Sequence, residues 1–268
     1  VGRIIYKMAA DQLTPVTLEL GGKSPCVVEA DASIKVAAKR IALAKWYNAG
    51  QICVAPDYIL VHASVRDSFL QELKKVILNF FTENPATCGH YGRIINSKQF
   101  DRLVSYLKDG SIYHGGHYDR DQLYIEPTLL TDVAIDSPIM QQEIFGPLLP
   151  VKEYTDIDES ISYVNANDKP LGLYYFGSNK SEESHVLSRT SSGGVTVNDV
   201  LGHIQQEDLP FGGVGPSGIG SYHGEDGFKT FSNPKAIYKQ VGSRFDKLLS
   251  AIRPPYKGDI EKVLKQIT

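Results

Sequence analysis

Val16-Thr17-Leu18-Glu19-Leu20-Gly21-Gly22-Lys23-Ser24-Pro25-Cys26-Val27-Val28-Glu29 holds two short β-type runs around a glycine turn. Val16 to Leu20 and Cys26 to Glu29 are the runs, and Gly21 to Pro25 supply the turn-forming residues between them. Asp31 or Ser33 can then cap a helix whose apolar positions Ile34, Ala37, Ala38, Ile41 and Trp46 recur at helical spacing until Asn48-Ala49-Gly50 stops it. A second strand-like run follows at Tyr58 to His62. Strand, helix, strand is the unit of a parallel sheet, because parallel neighbours need a crossover of about a dozen residues or more.

The alternation spreads outward from this unit. Ser64 opens a helix in which Val65, Phe69, Leu73, Val76, Ile77 and Phe80 form one apolar stripe, and core packing accounts for that stripe. Next come a helix Lys98 to Lys108, an extended stretch Leu123 to Leu130, a strand Leu148 to Tyr154, a helix Asp156 to Asn167, a strand Leu173 to Gly177, a helix Glu182 to Thr190 and a strand Val195 to Asn198. The fold class is α/β, with right-handed crossovers and a parallel-rich sheet covered by helices on both faces. Upstream, Arg3 to Ala10 reads as a helix with no strand before it. Downstream, residues 202 to 235 are rich in Gly and Pro with little periodicity, and two short helices split by Arg253-Pro254-Pro255 follow Gly242 as a tail suited to docking.

Composition narrows the function. The 268 residues, 42% hydrophobic, suffice for one large domain or two modest ones. With 28 basic against 31 acidic side chains and a net charge of -3, there is no basic excess to hold a phosphate backbone, so nucleic acid is not an expected partner. No apolar run reaches the roughly 18 residues of a membrane span, and no signal-peptide pattern opens the chain, so a cytoplasmic location is expected. Three cysteines, Cys26, Cys53 and Cys88, make no even disulfide framework.

Cys53 has a setting suited to chemistry. It lies in Gly50-Gln51-Ile52-Cys53-Val54-Ala55-Pro56-Asp57-Tyr58, an irregular connector whose amides can point at a bound oxygen. A buried inert thiol is the competing reading there, and it is the preferred one for Cys26, inside an apolar strand; Cys88 reads as an ordinary loop thiol. Glu19, flanked by Leu18 and Leu20, reads as a carboxylate at the C-terminal edge of a parallel strand, either a base with a raised pKa or a solvated strand end. Glu143, in Gln142-Glu143-Ile144-Phe145-Gly146-Pro147, is a further carboxylate beside an aromatic and a tight turn. Gly213-Val214-Gly215-Pro216-Ser217-Gly218 fits G-x-G-x-x-G but has no preceding strand, a proline at the helix start and no acid about 20 positions on, so it is rejected as a dinucleotide loop. His114 and His117 lack the partners of a zinc site, and no metal is expected.

In order, Leu18-Glu19-Leu20-Gly21-Gly22-Lys23, Gly50-Gln51-Ile52-Cys53, Glu143-Ile144-Phe145-Gly146-Pro147 and Pro210-Phe211-Gly212-Gly213-Val214-Gly215-Pro216-Ser217-Gly218 resemble the aldehyde dehydrogenase superfamily. Cys53-Val54-Ala55-Pro56-Asp57-Tyr58 and Ser221-Tyr222-His223-Gly224 are most similar to its class 3 branch, which includes fatty and coniferyl aldehyde dehydrogenases. The match runs to about Gln240, with Pro254-Pro255-Tyr256 also similar.

The resemblance implies NAD(P)-dependent oxidation of a small-molecule aldehyde to a carboxylic acid, with NAD or NADP as cofactor. Cys53 would be the nucleophile that forms a thiohemiacetal and then a thioester, its backbone amide holding the oxyanion in part, and Glu19 would activate the water that hydrolyses the thioester. Glu143 would bond the nicotinamide ribose beside Phe145, and Phe211 and His223 would line the aldehyde entrance. By the same resemblance residues 1–21 end a Rossmann-like cofactor domain, 22–235 form the catalytic domain, and 236–268 are a C-terminal arm suited to dimerisation in a homodimer. The family's earlier half, with an oxyanion-hole asparagine and an adenosine-ribose lysine, has no counterpart here, so Val1 reads as a cut and the activity as that of a longer protein. The rivals are a truncated non-catalytic chain that keeps the fold and dimer surfaces, and a cofactor-independent thiol esterase.

Overall fold

The computed structural model describes residues 1–239 together with Pro254, Glu261 and Lys265. Val1–Phe231 make one compact unit and Ser232–Thr268 a second. The two tail helices expected after Gly242, and most of the 236–268 arm, lie outside the described residues.

Along the chain run α1 (Gly2–Asp11), β1 (Leu18–Glu19), β2 (Pro25–Val28), α2 (Ile34–Trp46), β3 (Tyr58–His62), α3 (Arg66–Phe81) and α4 (Ser97–Ser105). Then come β4 (Ser111–His114), β5 (Tyr118–Asp119), β6 (Tyr124–Ile125), β7 (Thr128–Thr131), α5 (Pro138–Gln141) and β8 (Leu148–Tyr154). The order ends with α6 (Ile157–Ala166), β9 (Gly172–Phe176), α7 (Lys180–Arg189), β10 (Gly194–Val197), α8 (Gly202–Gln205), β11 (Gly218–Ile219) and α9 (Gly224–Thr230). The main sheet has the order β10-β9-β2-β3-β8-β7-β4. Every pairing in it is parallel except that of the edge strand β4 with β7.

Consecutive residues of β2 and β9 are all buried, so both faces of the sheet are covered, which is why these strands read as continuous apolar runs rather than alternating ones. Ala37, Ala38, Ile41 and Trp46 of α2, with Phe69, Leu73 and Ile77 of α3, belong to the same core as Cys26 to Val28, Ile59 to Val61 and Tyr174 to Phe176. Asp156 caps α6 by accepting the Asp158 N–H, and Asn179 caps α7 through the N–H groups of Ser181 and Glu182. Ser33 stands at the N-cap of α2 but makes no side-chain bond there, while Asp31 accepts from the Ser178 N–H and hydroxyl. Among the described residues no helix is long and apolar enough to cross a membrane.

One expectation is overturned. Glu19 does not end a strand of the parallel sheet: the strand is only Leu18–Glu19, and it pairs antiparallel with Gly218–Ile219. The connector that follows is tight at its glycines, a Cβ on Gly22 lying 3.2 Å from the Leu171 nitrogen, and the chain enters the sheet only at Pro25. Glu19 therefore precedes β2, Cys53 precedes β3 and Glu143 precedes β8, three adjacent parallel strands. The three residues gather at the amino-terminal edge of the sheet, opposite to the edge where ligands of open α/β sheets usually bind.

Candidate active site

Cys53 hangs on a connector bent by unusual backbone. Asn48 and Ala49 have φ of 51° and 53° and Gly50 has φ of 77°, three successive residues in the left-handed region. At Gly50 the absence of a side chain is required twice over, because a Cβ would also lie 2.2 Å from the Gly146 carbonyl oxygen. This close approach seats the cysteine connector against the turn that carries Glu143. Gln51 fastens its other side: Nε2 donates to the Asn48 and Arg93 carbonyls at 3.0 Å each, and Oε1 accepts the Ile95 N–H at 3.0 Å.

The Cys53 side chain meets a carboxylate on one side and aromatic rings on the other. Burial, then the charges of Glu19 and Glu143, push its thiol up to about 11, opposed by its own backbone N–H. Sulfur is therefore a protonated thiol at neutral pH, with the Glu19 carboxylate beside it and its own main-chain N–H turned toward it. Burial also raises the Glu19 carboxyl, with the Cys53 hydrogen bond pulling the other way. Glu143 rises further, to about 7, because burial outweighs the Gly22 backbone N–H that it accepts. Its carboxylate fills the space that a side chain at Gly21 would need, since a Cβ there would lie 2.1 Å from Oε2.

A buried ionic group ties these segments together. Lys23 pairs with Asp57 and donates to the Ile139 and Gln142 carbonyls at 2.8 and 2.9 Å. Asp57 Oδ1 accepts the Ile144 N–H at 2.8 Å, and the Asp57 N–H donates to the Ser24 carbonyl at 2.9 Å. Lys45, 1% exposed, stands by them, and burial lowers its ammonium to about 8 against the pull of Asp57.

The apolar side is a small cluster of Val54, Leu171 and Phe211, with Ile52, Cys53, Leu201, Ile204 and Tyr222 packed on it. Phe211 and Tyr222 exchange main-chain hydrogen bonds at 2.8 Å, and the His223 ring stacks on Phe211 with centroids 5.5 Å apart. His203 lies on from Phe211, 5.9 Å away, with Tyr174 a further 5.9 Å from it. The Tyr174 hydroxyl donates to the Val54 carbonyl at 2.5 Å, so the column of rings ends on the residue after Cys53.

Of the residues singled out by sequence, Cys53, Glu19 and Glu143 thus share one neighbourhood, and Phe211 and His223 form its aromatic side. Phe145 is on the Glu143 turn but 41% exposed. Cys26 is fully buried and Cys88 lies with residues packed on the main core. The rejected glycine run is a turn fixed by the Ser217 hydroxyl, which accepts the Val214 N–H at 2.9 Å. Asp57, Lys45, Arg102 and His203 were missed; Asp57 stood inside the cysteine motif, while the other three carry no local signal.

A cleft of about 530 Å³ opens beside Glu143, lined also by Gly21, Gly22, Lys23, Asn167, Lys169 and Ser217 among others, and a wall that offers carboxylate oxygens and polar groups suits a hydroxyl-bearing ligand such as a ribose.

Comparison with known proteins places the chain. Residues 1–237 match the model of the aldehyde dehydrogenase family. A 4,4'-diaponeurosporen-aldehyde dehydrogenase of Staphylococcus aureus is 47% identical over 98% of this chain and 57% of its own length. A dimeric NADP-preferring aldehyde dehydrogenase of Mus musculus is 48% identical over 88% of this chain and 52% of its own. The substrate-bound structure of Staphylococcus aureus AldH superposes with a TM-score of 0.90 at 45% identity, covering 99% of this chain and 58% of that one. The chain spans about half the length of the curated relatives it matches.

Proposed function

The chain belongs to the aldehyde dehydrogenase family, and from that premise we propose that it carries the thiol and carboxylate half of an enzyme oxidising an aldehyde to a carboxylic acid with NAD or NADP. The observation that carries the reading is the juxtaposition of the Cys53 thiol and the Glu19 carboxylate, with Glu143 close by at the same sheet edge.

Cys53 is the nucleophile. Its thiol is held protonated, so the proton must leave as sulfur attacks the carbonyl carbon, and Glu19 is placed to take it. The Cys53 amide then faces the oxyanion of the thiohemiacetal. When bound, the nicotinamide supplies a hydride acceptor for the carbon on sulfur, and Glu143 and Phe145 would hold its ribose and ring. The thioester left on Cys53 is hydrolysed by water from which Glu19 removes a proton; the acid departs and the thiol is restored. Between the two transfers Glu19 releases the thiol's proton to solvent, and after the second it returns the water's proton to the departing thiolate, so a base with a raised pKa, which gives protons up as well as taking them, suits both. Tyr222 and His223, backed by the buried Phe211 ring, give the aldehyde an apolar and aromatic approach, which fits aromatic or long-chain substrates. A homodimer is inferred from the family resemblance, and a cytoplasmic location from the sequence pattern alone.

The test uses the natural full-length protein. With an aromatic or long-chain aldehyde and either cofactor, reduced nicotinamide should accumulate, and Cys53→Ala should abolish it. Activity that survives Cys53→Ala overturns the nucleophile; ester hydrolysis without cofactor, and no aldehyde oxidation, favours the thiol esterase.

A further inference from the structure

The turn Gln142–Pro147 carries Glu143 and Phe145, and Phe145 has φ of 50°, a region that residues with side chains rarely adopt. Two side chains of opposite charge hold the peptide beside it. From α4, Arg102 Nη1 donates to the Glu143 carbonyl at 3.1 Å and Nη2 to the Ile144 carbonyl at 2.7 Å. Asp57 Oδ1 takes the Ile144 N–H at 2.8 Å. The peptide plane joining Glu143 to Ile144 is thus gripped at both ends, its carbonyl by Arg102 and its N–H by Asp57. Both grips are themselves braced. Arg102 Nε donates to Gln99 at 2.7 Å and Nη1 to the Tyr106 hydroxyl at 3.1 Å, and that hydroxyl donates to Gln142 Oε1 at 3.0 Å. Asp57 is paired with Lys23.

We propose that Arg102 is a positioning residue for the cofactor: with Asp57 it sets the Glu143–Ile144 peptide plane and so aims the Glu143 carboxylate, acting through backbone alone. The inference rests on Glu143 receiving the nicotinamide ribose. Two successive carbonyls call for a planar fork of donors, which lysine, a single ammonium, cannot reproduce in full. The cysteine connector touches this turn at Gly50 and Asp57 but has a further fastening through Gln51, so the larger effect falls on the Glu143 turn.

The test compares Arg102→Met, Arg102→Lys and, as control, Arg120→Met, which removes an exposed ion pair to Asp101 of the same helix. In the full-length protein, Arg102→Met should raise the cofactor KM tenfold or more while the rate of Cys53 alkylation by iodoacetamide stays within twofold. Arg102→Lys should fall between, and Arg120→Met should match wild type. A cofactor KM within twofold of wild type overturns the proposal, as does an alkylation rate that shifts as much as the KM. Should wild type oxidise no aldehyde with either cofactor, the functional reading fails, and amide hydrogen exchange over residues 142–147 decides the positioning role by itself. Faster exchange in Arg102→Met than in Arg120→Met supports it; equal exchange overturns it.

Discussion

Cys53 lies between two walls built on opposite principles. One is ionisable: Glu19, Glu143, Lys23, Asp57 and the buried Lys45 come from three segments that each lead into a neighbouring parallel strand. The other is a column of rings, Tyr174, His203, Phe211 and His223, taken mainly from the glycine-rich region after β10. The first wall governs where protons sit, since its charges and its burial set the thiol at about 11. The second removes water and gives shape. A thiol so held is not a general-purpose nucleophile; it is released only when a base takes its proton, which ties sulfur chemistry to Glu19.

The sharpest test of that division is Glu19→Gln. Loss of a general base of this kind costs about 10²–10⁴ in turnover. The same change removes a charge that raises the Cys53 thiol, so the midpoint of the pH profile for iodoacetamide alkylation should drop below about 11. Slower turnover with easier alkylation is the signature of the ionisable wall; turnover within threefold of wild type would break it.

Phe211→Ala probes the other wall. Phe211 is 2% exposed, and truncating a buried phenylalanine costs about 3–5 kcal/mol, read as a lower urea midpoint at constant slope. Phe211 contributes nothing to the charges around Cys53, so the alkylation midpoint should move far less than in Glu19→Gln. Equal movement in both variants would mean that the two walls are not separable.

The walls also differ in how far sequence reveals them. The strands Tyr58–His62 and Leu148–Tyr154 are found at the residues expected, because buried parallel strands announce themselves as apolar runs closed by polar turns. The extended stretch 123–130 is instead two strands, Tyr124–Ile125 and Thr128–Thr131, broken at Pro127, which lacks an N–H, just after Glu126, whose N–H donates to the His117 carbonyl at 2.9 Å and whose Oε2 accepts the His117 N–H at 3.1 Å. The edge strand Ser111–His114 was not foreseen, since half-exposed edge residues carry no apolar run. Residues 202–235 look aperiodic, yet His203 and Phe211 are buried there, held by ring contacts and by Thr196 rather than by a regular face. Cys53, Glu19 and Glu143 were legible through their motifs, but not the sheet edge on which they stand. That depends on Leu18–Glu19 pairing with a strand some 200 residues away, a long-range fact that no local window contains.

The smallest effect separates the walls by the sign of their pH dependence. Burial raises Glu143 from 4.5 to about 7, so between those values the folded chain keeps a proton that the unfolded chain releases. The stability this contributes is complete below pH 4.5 and is lost as pH rises through about 7. His203 runs the other way. Burial lowers it from 6.5 to about 4, so on acidification the unfolded chain takes a proton that the folded chain refuses, and stability falls as pH drops. The slopes oppose each other in the range the two windows share. Glu143→Gln removes the first and leaves the second, so relative to wild type the variant should lose stability on going from pH 7 to pH 5, by at most about 1.4 kcal/mol per pH unit, the limit for one proton. Urea midpoints at pH 5, 6 and 7 measure it. Parallel curves for the two proteins would show that Glu143 gains no proton on folding in this range, and the ionisable wall would then hold a carboxylate charged throughout.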